Sequence, residues 1–158
     1  MAEYTNNTLQ TVPPGETVVF TLAPSPCERG LVRWRSGTGN FLLSGWIPRC
    51  LNRNRCCCRR INSANYRVNF GANIAVPTGE TVGEISLAII VDGATVPAST
   101  MIVTPAAVEE FFNVSREINV DVWNGCCETV SVRNTSDIPI LVQNPNIIFG
   151  RPDLAVTY

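Results

Sequence analysis

Short apolar runs, some alternating with polar residues and some continuous, recur along this 158-residue chain. Thr17 to Leu22, Leu31 to Arg35, Phe41 to Trp46, Tyr66 to Ile74, Ile85 to Val91, Thr100 to Thr104, Ile118 to Trp123, Thr129 to Arg133 and Ile140 to Phe149 all read as strands. Pro13-Pro14-Gly15, Gly37 to Asn40, Pro77 to Gly79, Asp92-Gly93, Asn124-Gly125 and Asn144-Pro145 separate them. Helical periodicity is almost absent. Only Ala106 to Phe112 suits a helical turn, and it suits the first residues of a strand equally well. About eight to ten short strands at this spacing predict an all-β, antiparallel jelly-roll sandwich and not a βαβ fold.

The clearest element is Ile85 to Pro105, ISLAIIVDGATVPASTMIVTP, two apolar runs hinged on Val91-Asp92-Gly93. Asp92-Gly93 and Asn124-Gly125 are both favoured in tight hairpin turns because their residues tolerate positive φ. The length suits one core. The expected layout is a single domain over residues 9–158, with a polar N-terminal arm over residues 1–8 free to reach a neighbouring subunit. An Arg/Cys-rich insert occupies residues 49–60.

Two stretches carry a family resemblance. They are YRVNFGANIAVPTGETVGEISLAIIVDGATVPAST (Tyr66 to Thr100) and VSVRNTSDIPILVQNPNIIF (Val130 to Phe149). Together they resemble the C1q/TNF-like jelly roll of bacterial surface proteins, especially the C-terminal domain of collagen-like spore-surface glycoproteins, and of phage surface proteins. The chain departs from those relatives in its Arg/Cys insert and in lacking a Gly-X-Y collagen stalk. The resemblance implies a homotrimer that builds or decorates a surface. Candidates for the trimer seam are Phe70, Phe111, Phe112, Phe149 and Tyr158, with Phe70 and Phe149 equally suited to the core of a single subunit. Phe111 and Phe112 stand out because neighbours in a strand face opposite sides, yet both are apolar.

Charge narrows the chemistry. The chain has no Lys and no His, so all its basic residues are Arg. Ser-His-Asp, Cys-His and Ser-Lys catalysis and Schiff-base chemistry are therefore excluded. Glu109 and Glu110 are adjacent carboxylates, but neighbours in a strand diverge, which leaves paired-carboxylate hydrolysis without its geometry. The expectation is no enzyme, no cofactor and no metal site, since neither a phosphate-binding loop nor a CxxC pair occurs. Arg29, Arg33, Arg35, Arg49, Arg53, Arg55, Arg59, Arg60 and Arg67 fall in a stretch without a single acid, whereas the later part of the chain is acidic. This asymmetry suits copies that meet positive region to negative region. Arg53, Arg55, Arg59 and Arg60, with Trp34 and Trp46, are candidate contact residues. The same combination suits nucleic acid, but the slightly acidic chain and the interleaved cysteines argue against it.

Seven cysteines occur, Cys27, Cys50, Cys56, Cys57, Cys58, Cys126 and Cys127. Disulfides within or between subunits are the expected chemistry, and an odd count leaves one thiol over if pairing is internal. The flanking Arg residues favour thiolate at Cys56 to Cys58. No apolar run is long enough to span a membrane, and Met1 to Gln10 has no signal-peptide pattern. The sequons at Asn6, Asn113 and Asn134 therefore read as chance matches. The expected role is a structural subunit made in the cytoplasm and released by lysis or on a particle. It would be part of a spore coat, exosporium or appendage, or of a virion, partnered by itself and by other surface or capsid proteins. The alternative is a trimeric module that binds a receptor, glycan or host surface through exposed loops.

Overall fold

The computed structural model describes residues 1–27, 30–47 and 62–154. It is all-β, with no α-helix among the described residues. Strands β1 (Ala2–Thr5), β2 (Gln10–Val12), β3 (Leu22–Ser25), β6 (Ser63–Ala75), β10 (Phe112–Trp123) and β12 (Ile140–Gly150) form one sheet. Strands β4 (Val32–Trp34), β5 (Phe41–Ser44), β7 (Ile85–Val91), β8 (Ala94–Thr95), β9 (Met101–Val103) and β11 (Cys127–Asn134) form the other. In the first, sheet I, the order is β10-β6-β12-β1-β3, with β2 also on β12. In the second, sheet II, the order is β4-β5-β11-β7-β8, with β9 on β7. Every pairing is antiparallel. The chain crosses between the sheets at β3–β4, β5–β6, β6–β7, β9–β10, β10–β11 and β11–β12, and two facing antiparallel sheets so connected are the jelly-roll sandwich the apolar pattern predicts.

Alternation decides which face of each strand is buried. In β6, Ala64, Tyr66, Val68, Phe70, Ala72 and Ile74 point into the sandwich and are inaccessible to solvent or nearly so. Asn65, Arg67, Asn69 and Asn73 point out. The inner layer is knitted by aromatic rings from both sheets. Phe41 of β5 lies 4.9 Å from Tyr4 of β1, 5.3 Å from Phe20 and 4.9 Å from Phe149 of β12.

Several expectations need correction. The residues expected as a free arm contain β1, an inner strand of sheet I held between β12 and β3. Ala2 and Tyr4 are buried in the core, so this segment is spent within its own subunit. Of Thr17 to Leu22 only Leu22 belongs to a strand, β3; Thr17 and Phe20 make isolated bridges to Arg133 and Thr38 with no continuous ladder, although Val18 and Phe20 are buried. The segment's backbone bonds scatter among several elements: the Val18 N–H donates to the Val132 carbonyl (2.8 Å) and the Phe20 N–H to the Thr38 carbonyl (3.2 Å), while a side-chain amide serves Val19. Gln10 Nε2 donates to the Val19 carbonyl (2.9 Å), and the Val19 N–H donates to Gln10 Oε1 (2.9 Å). Ala106 to Phe111 is neither helix nor strand. It is a turn in which the Glu110 carboxylate accepts the N–H groups of Ala106 (2.9 Å) and Ala107 (3.2 Å).

Two irregularities let long strands stay in register. Asn144, at φ 48°, sits where the β12 to β6 register shifts between Gln143 and Asn146, so Pro145 occupies a bulge and not a regular ladder position. Between β8 and β9, the fully buried Ser99 Oγ accepts the Ile89 N–H (2.8 Å), and Asp92-Gly93 makes the preceding turn with positive φ at both residues.

Asn134 ties three elements. Its amide, fully buried, donates to the carbonyls of Val12 and Ile138, both at 2.9 Å, and accepts the Ser136 N–H at 2.8 Å. Replacing it with Ala strands these main-chain groups in the core. The expected cost of Asn134→Ala is about 3 kcal/mol, read from the urea unfolding midpoint. A loss under about 1 kcal/mol would show that water reaches and satisfies them.

Candidate interaction surfaces

Three surfaces concern function: the outer face of sheet I, the open edge at the start of β10, and the end of the sandwich where β6 begins and β12 finishes. The outer face of sheet I is polar. Asn65 Nδ2 donates to Asp121 Oδ1 (2.7 Å), Asn113 Nδ2 to Asn73 Oδ1 (3.1 Å) and Asn146 Nδ2 to Glu3 Oε1 (2.5 Å). Arg67 Nε lies 3.4 Å from Glu117 Oε1 in an exposed ion pair, which is worth little by itself. These cross-strand pairs occupy the face that a sandwich leaves uncovered.

The expected seam residues divide. Phe70 and Phe149 belong to the core of a single subunit, with 0% and 2% of their surface accessible. They point inward because their positions in β6 and β12 fall on the buried parity, and they touch no outer surface. Phe111 and Phe112 stay 39% and 37% exposed. They stand where β10 begins at the edge of sheet I, paired on one side only among the described residues, with Phe112 opposite Ile74. Tyr158 lies outside the described residues.

The contact candidates divide as well. Trp34 is half-buried: its ring stacks on Phe41 at 6.3 Å and its Nε1 donates to the Thr38 carbonyl (3.1 Å). It packs against the core from β4 and stays partly accessible. Trp46 is exposed, just after β5. Arg53, Arg55, Arg59 and Arg60 lie outside the described residues. Trp123, 63% exposed at the tip of β10, was not singled out by sequence reasoning. Its signal was its place directly before Asn124-Gly125, where a strand has already left the sandwich.

Trp46 and Trp123 mark the same end of the molecule. The Gly45 N–H donates to the Cys126 carbonyl (2.9 Å), and the Asn124 N–H donates to the Asn62 carbonyl (2.8 Å). Gly45 passes so close to the Trp123 carbonyl that any side chain there would overlap it. Cys126 and Cys127 are exposed thiols in and just after the turn, whereas Cys27 is half-buried against the core. Cys50, Cys56, Cys57 and Cys58 lie outside the described residues. No group of three or more metal-ligating side chains occurs among the described residues.

A cleft of about 1000 Å³ opens at this end, lined by Cys27, Arg67, Glu117, Ile148, Arg151 and Leu154 among others. At its base the buried Tyr66 hydroxyl donates to the Ser44 carbonyl (2.6 Å) and accepts from Arg151 Nη1 (3.3 Å). The Arg151 guanidinium lies over the Tyr66 ring, 4.8 Å from its centroid, and also donates to the Trp46 carbonyl (3.2 Å).

No protein-family model matches the chain, and no curated protein matches it. Solved structures do. The globular domain of zebrafish complement 1qA protein aligns with a TM-score of 0.52 at 11% identity, covering 93% of this chain and 94% of that one. Rabbit GITRL aligns at 0.44 and 9% identity, over 99% and 100% of the two chains. A family 35 carbohydrate binding module from an environmental isolate aligns at 0.40 and 7%, over 96% and 97%. The fold is a C1q/TNF-like jelly roll.

Burial raises the phenol pKa of both Tyr4 and Tyr66 above the ordinary 10.0. For Tyr4 the Cys27 thiolate adds to the rise, and for Tyr66 the Arg151 guanidinium partly opposes it. A raised folded pKa means that the unfolded chain loses these protons first. Their contribution to stability is complete below pH 10 and declines as pH rises through the folded values. The urea midpoint should hold steady up to about pH 9.5 and fall above pH 10. The double variant Tyr4→Phe/Tyr66→Phe should flatten that fall.

Proposed function

We propose that this chain is a non-enzymatic structural subunit that associates as a homotrimer and is built into an extracellular surface assembly. The observation that carries the reading is the adjacent, exposed Phe111 and Phe112 at the open edge of β10. Burying two such rings against another copy removes apolar surface that a lone subunit leaves in water. Three copies can each lay this edge on the next copy's uncovered sheet I, and cyclic closure keeps the assembly finite. The acceptor face is the Asn-rich ladder described above, so this seam is apolar at its edge and hydrogen-bonded across its breadth. The likeness to a complement 1q globular domain in fold supports the same packing.

A spore coat, exosporium or appendage and a virion are the two settings proposed. Cysteines support the first, as a structure that outlasts the cell gains from cross-links. The exposed Trp46 and Trp123 beside the cleft favour a second reading, a trimeric module that binds a receptor, glycan or host surface at that end.

Sedimentation equilibrium under reducing conditions should give a three-chain mass, and Phe111→Ser/Phe112→Ser should give a one-chain mass. The double variant should keep its urea midpoint within about 1 kcal/mol of the parent, because both side chains are half-exposed in the subunit. A one-chain mass for the parent protein would falsify the trimer. Electron microscopy then separates the two readings: filaments or lattices support the surface assembly, and discrete particles that bind cells or polysaccharide support the module.

A further inference from the structure

Strand β10 carries a charge on the wrong side for a lone subunit. Its even-numbered residues face the interior, where Val114, Val120 and Val122 are buried, yet Arg116, in the same series and opposite the core residue Phe70, is exposed. A guanidinium does not enter an apolar core unpaired, so Arg116 leaves through the flank of the sandwich. It forms no ion pair among the described residues. An inward charge on an edge strand also discourages another strand from adding to that edge, which leaves β10 to be covered by a face. Phe112 stands four residues earlier in the same series, about 13 Å along the strand. The guanidinium and the exposed ring thus share one flank.

The outer face of sheet I has the complementary charge. Its described strands present Glu3, Glu117 and Asp121 against a single cation, Arg67. Glu117 and Asp121 stand on β10 itself, and Glu117 already lies 3.4 Å from Arg67. Glu3 differs on both counts. It lies on β1, three strands and about 14 Å from β10, and no cation pairs with it among the described residues. Its Oε1 accepts from Asn146 Nδ2, which orients the carboxylate and leaves acceptor sites to spare. Register fixes its level: Glu3 is opposite Ile148, Ile148 opposite Asn69, and Asn69 opposite Glu117, the chain neighbour of Arg116.

We infer that the three-fold axis runs along the strands of sheet I and that Arg116 of each copy forms an ion pair with Glu3 of the next. Rotation about such an axis leaves height unchanged, so each residue meets those on its own level in the neighbouring copy. Arg116 and Glu3 differ in level by one residue, about 3.4 Å, which a long side chain spans. The inference rests on the trimer reading and adds what the exposed phenylalanines do not supply, a fixed register. Apolar contact is non-directional, so rings alone leave one copy free to slide on the next. A charge pair that must coincide sets the height, and cyclic closure repeats it in all three seams.

Sedimentation equilibrium of the full chain under reducing conditions tests the pair. Arg116→Glu and Glu3→Arg should each raise the concentration at which the trimer is half dissociated by at least about tenfold, because each sets like charges together in every seam. The double variant Arg116→Glu/Glu3→Arg should return to within about threefold of the parent, the sign of direct coupling. Glu3→Gln keeps a side-chain oxygen for Asn146 and should weaken the trimer in the same direction by less. Near-ultraviolet circular dichroism matching the parent confirms the fold of each variant. Arg116→Glu that dissociates at the parent's concentration would overturn the pair and leave the trimer standing, as would a double variant no tighter than the weaker single. A one-chain mass for the parent protein would overturn both.

Discussion

A jelly roll must bury one face of each sheet against the other. In this chain the contact that does so is the aromatic cluster around Phe41, which brings β1 and β12 of sheet I onto β4 and β5 of sheet II through Tyr4, Phe149 and Trp34. Each such pair adds about 0.5–1.5 kcal/mol beyond its buried area. The cluster also explains why these aromatics are unavailable elsewhere: a ring that closes the sandwich cannot also seal a seam between subunits. The outer surface is then left to amides, acids and a few exposed rings.

The closure sits nearer one end than the other, and the two poles differ in kind. At one, the Tyr66 hydroxyl and the Arg151 guanidinium hold the end of β12 against β5, with tryptophans and thiols at the surface. At the other, Glu109 and Glu110 spend their carboxylates on Thr78 and on the N–H groups of Ala106 and Ala107. The Arg-rich early sequence and the acidic later sequence meet on the outer face of sheet I. Arg67, from the first, pairs across strands with Glu117, from the second.

Much of the fold was legible because long strands in a sandwich carry their own signal, alternation in β6 and a continuous apolar run in β7. Strands β1 and β2 were not, since AEYT and QTV are too short to show a period and their partners lie more than a hundred residues away. Thr17 to Thr21 showed the opposite failure, alternation without a continuous ladder, because alternation reports burial while the hydrogen bonds go to scattered partners, Gln10 and Asn6 at Val19 and the backbones of Val132, Thr38 and Thr5 beside it. At the candidate surfaces, Phe70 and Phe111 look alike in sequence and differ only in parity and in distance from a sheet edge. Trp34 and Trp46 differ in the same way, so no local pattern separates them.

The inner position of β1 has a consequence for biosynthesis. Residues 2–5 pair with residues 146–149, so β1 waits for a partner made about 144 residues later. At about 5–20 residues per second that wait is roughly 7 to 30 s, during which sheet I lacks its β12 and the faces meant for the aromatic cluster stay open. Slow folding dominated by distant contacts follows from the same pairing. A chain short of β12 can pair β6 with β10 and assemble sheet II, but it leaves β1 and β3 detached from β6.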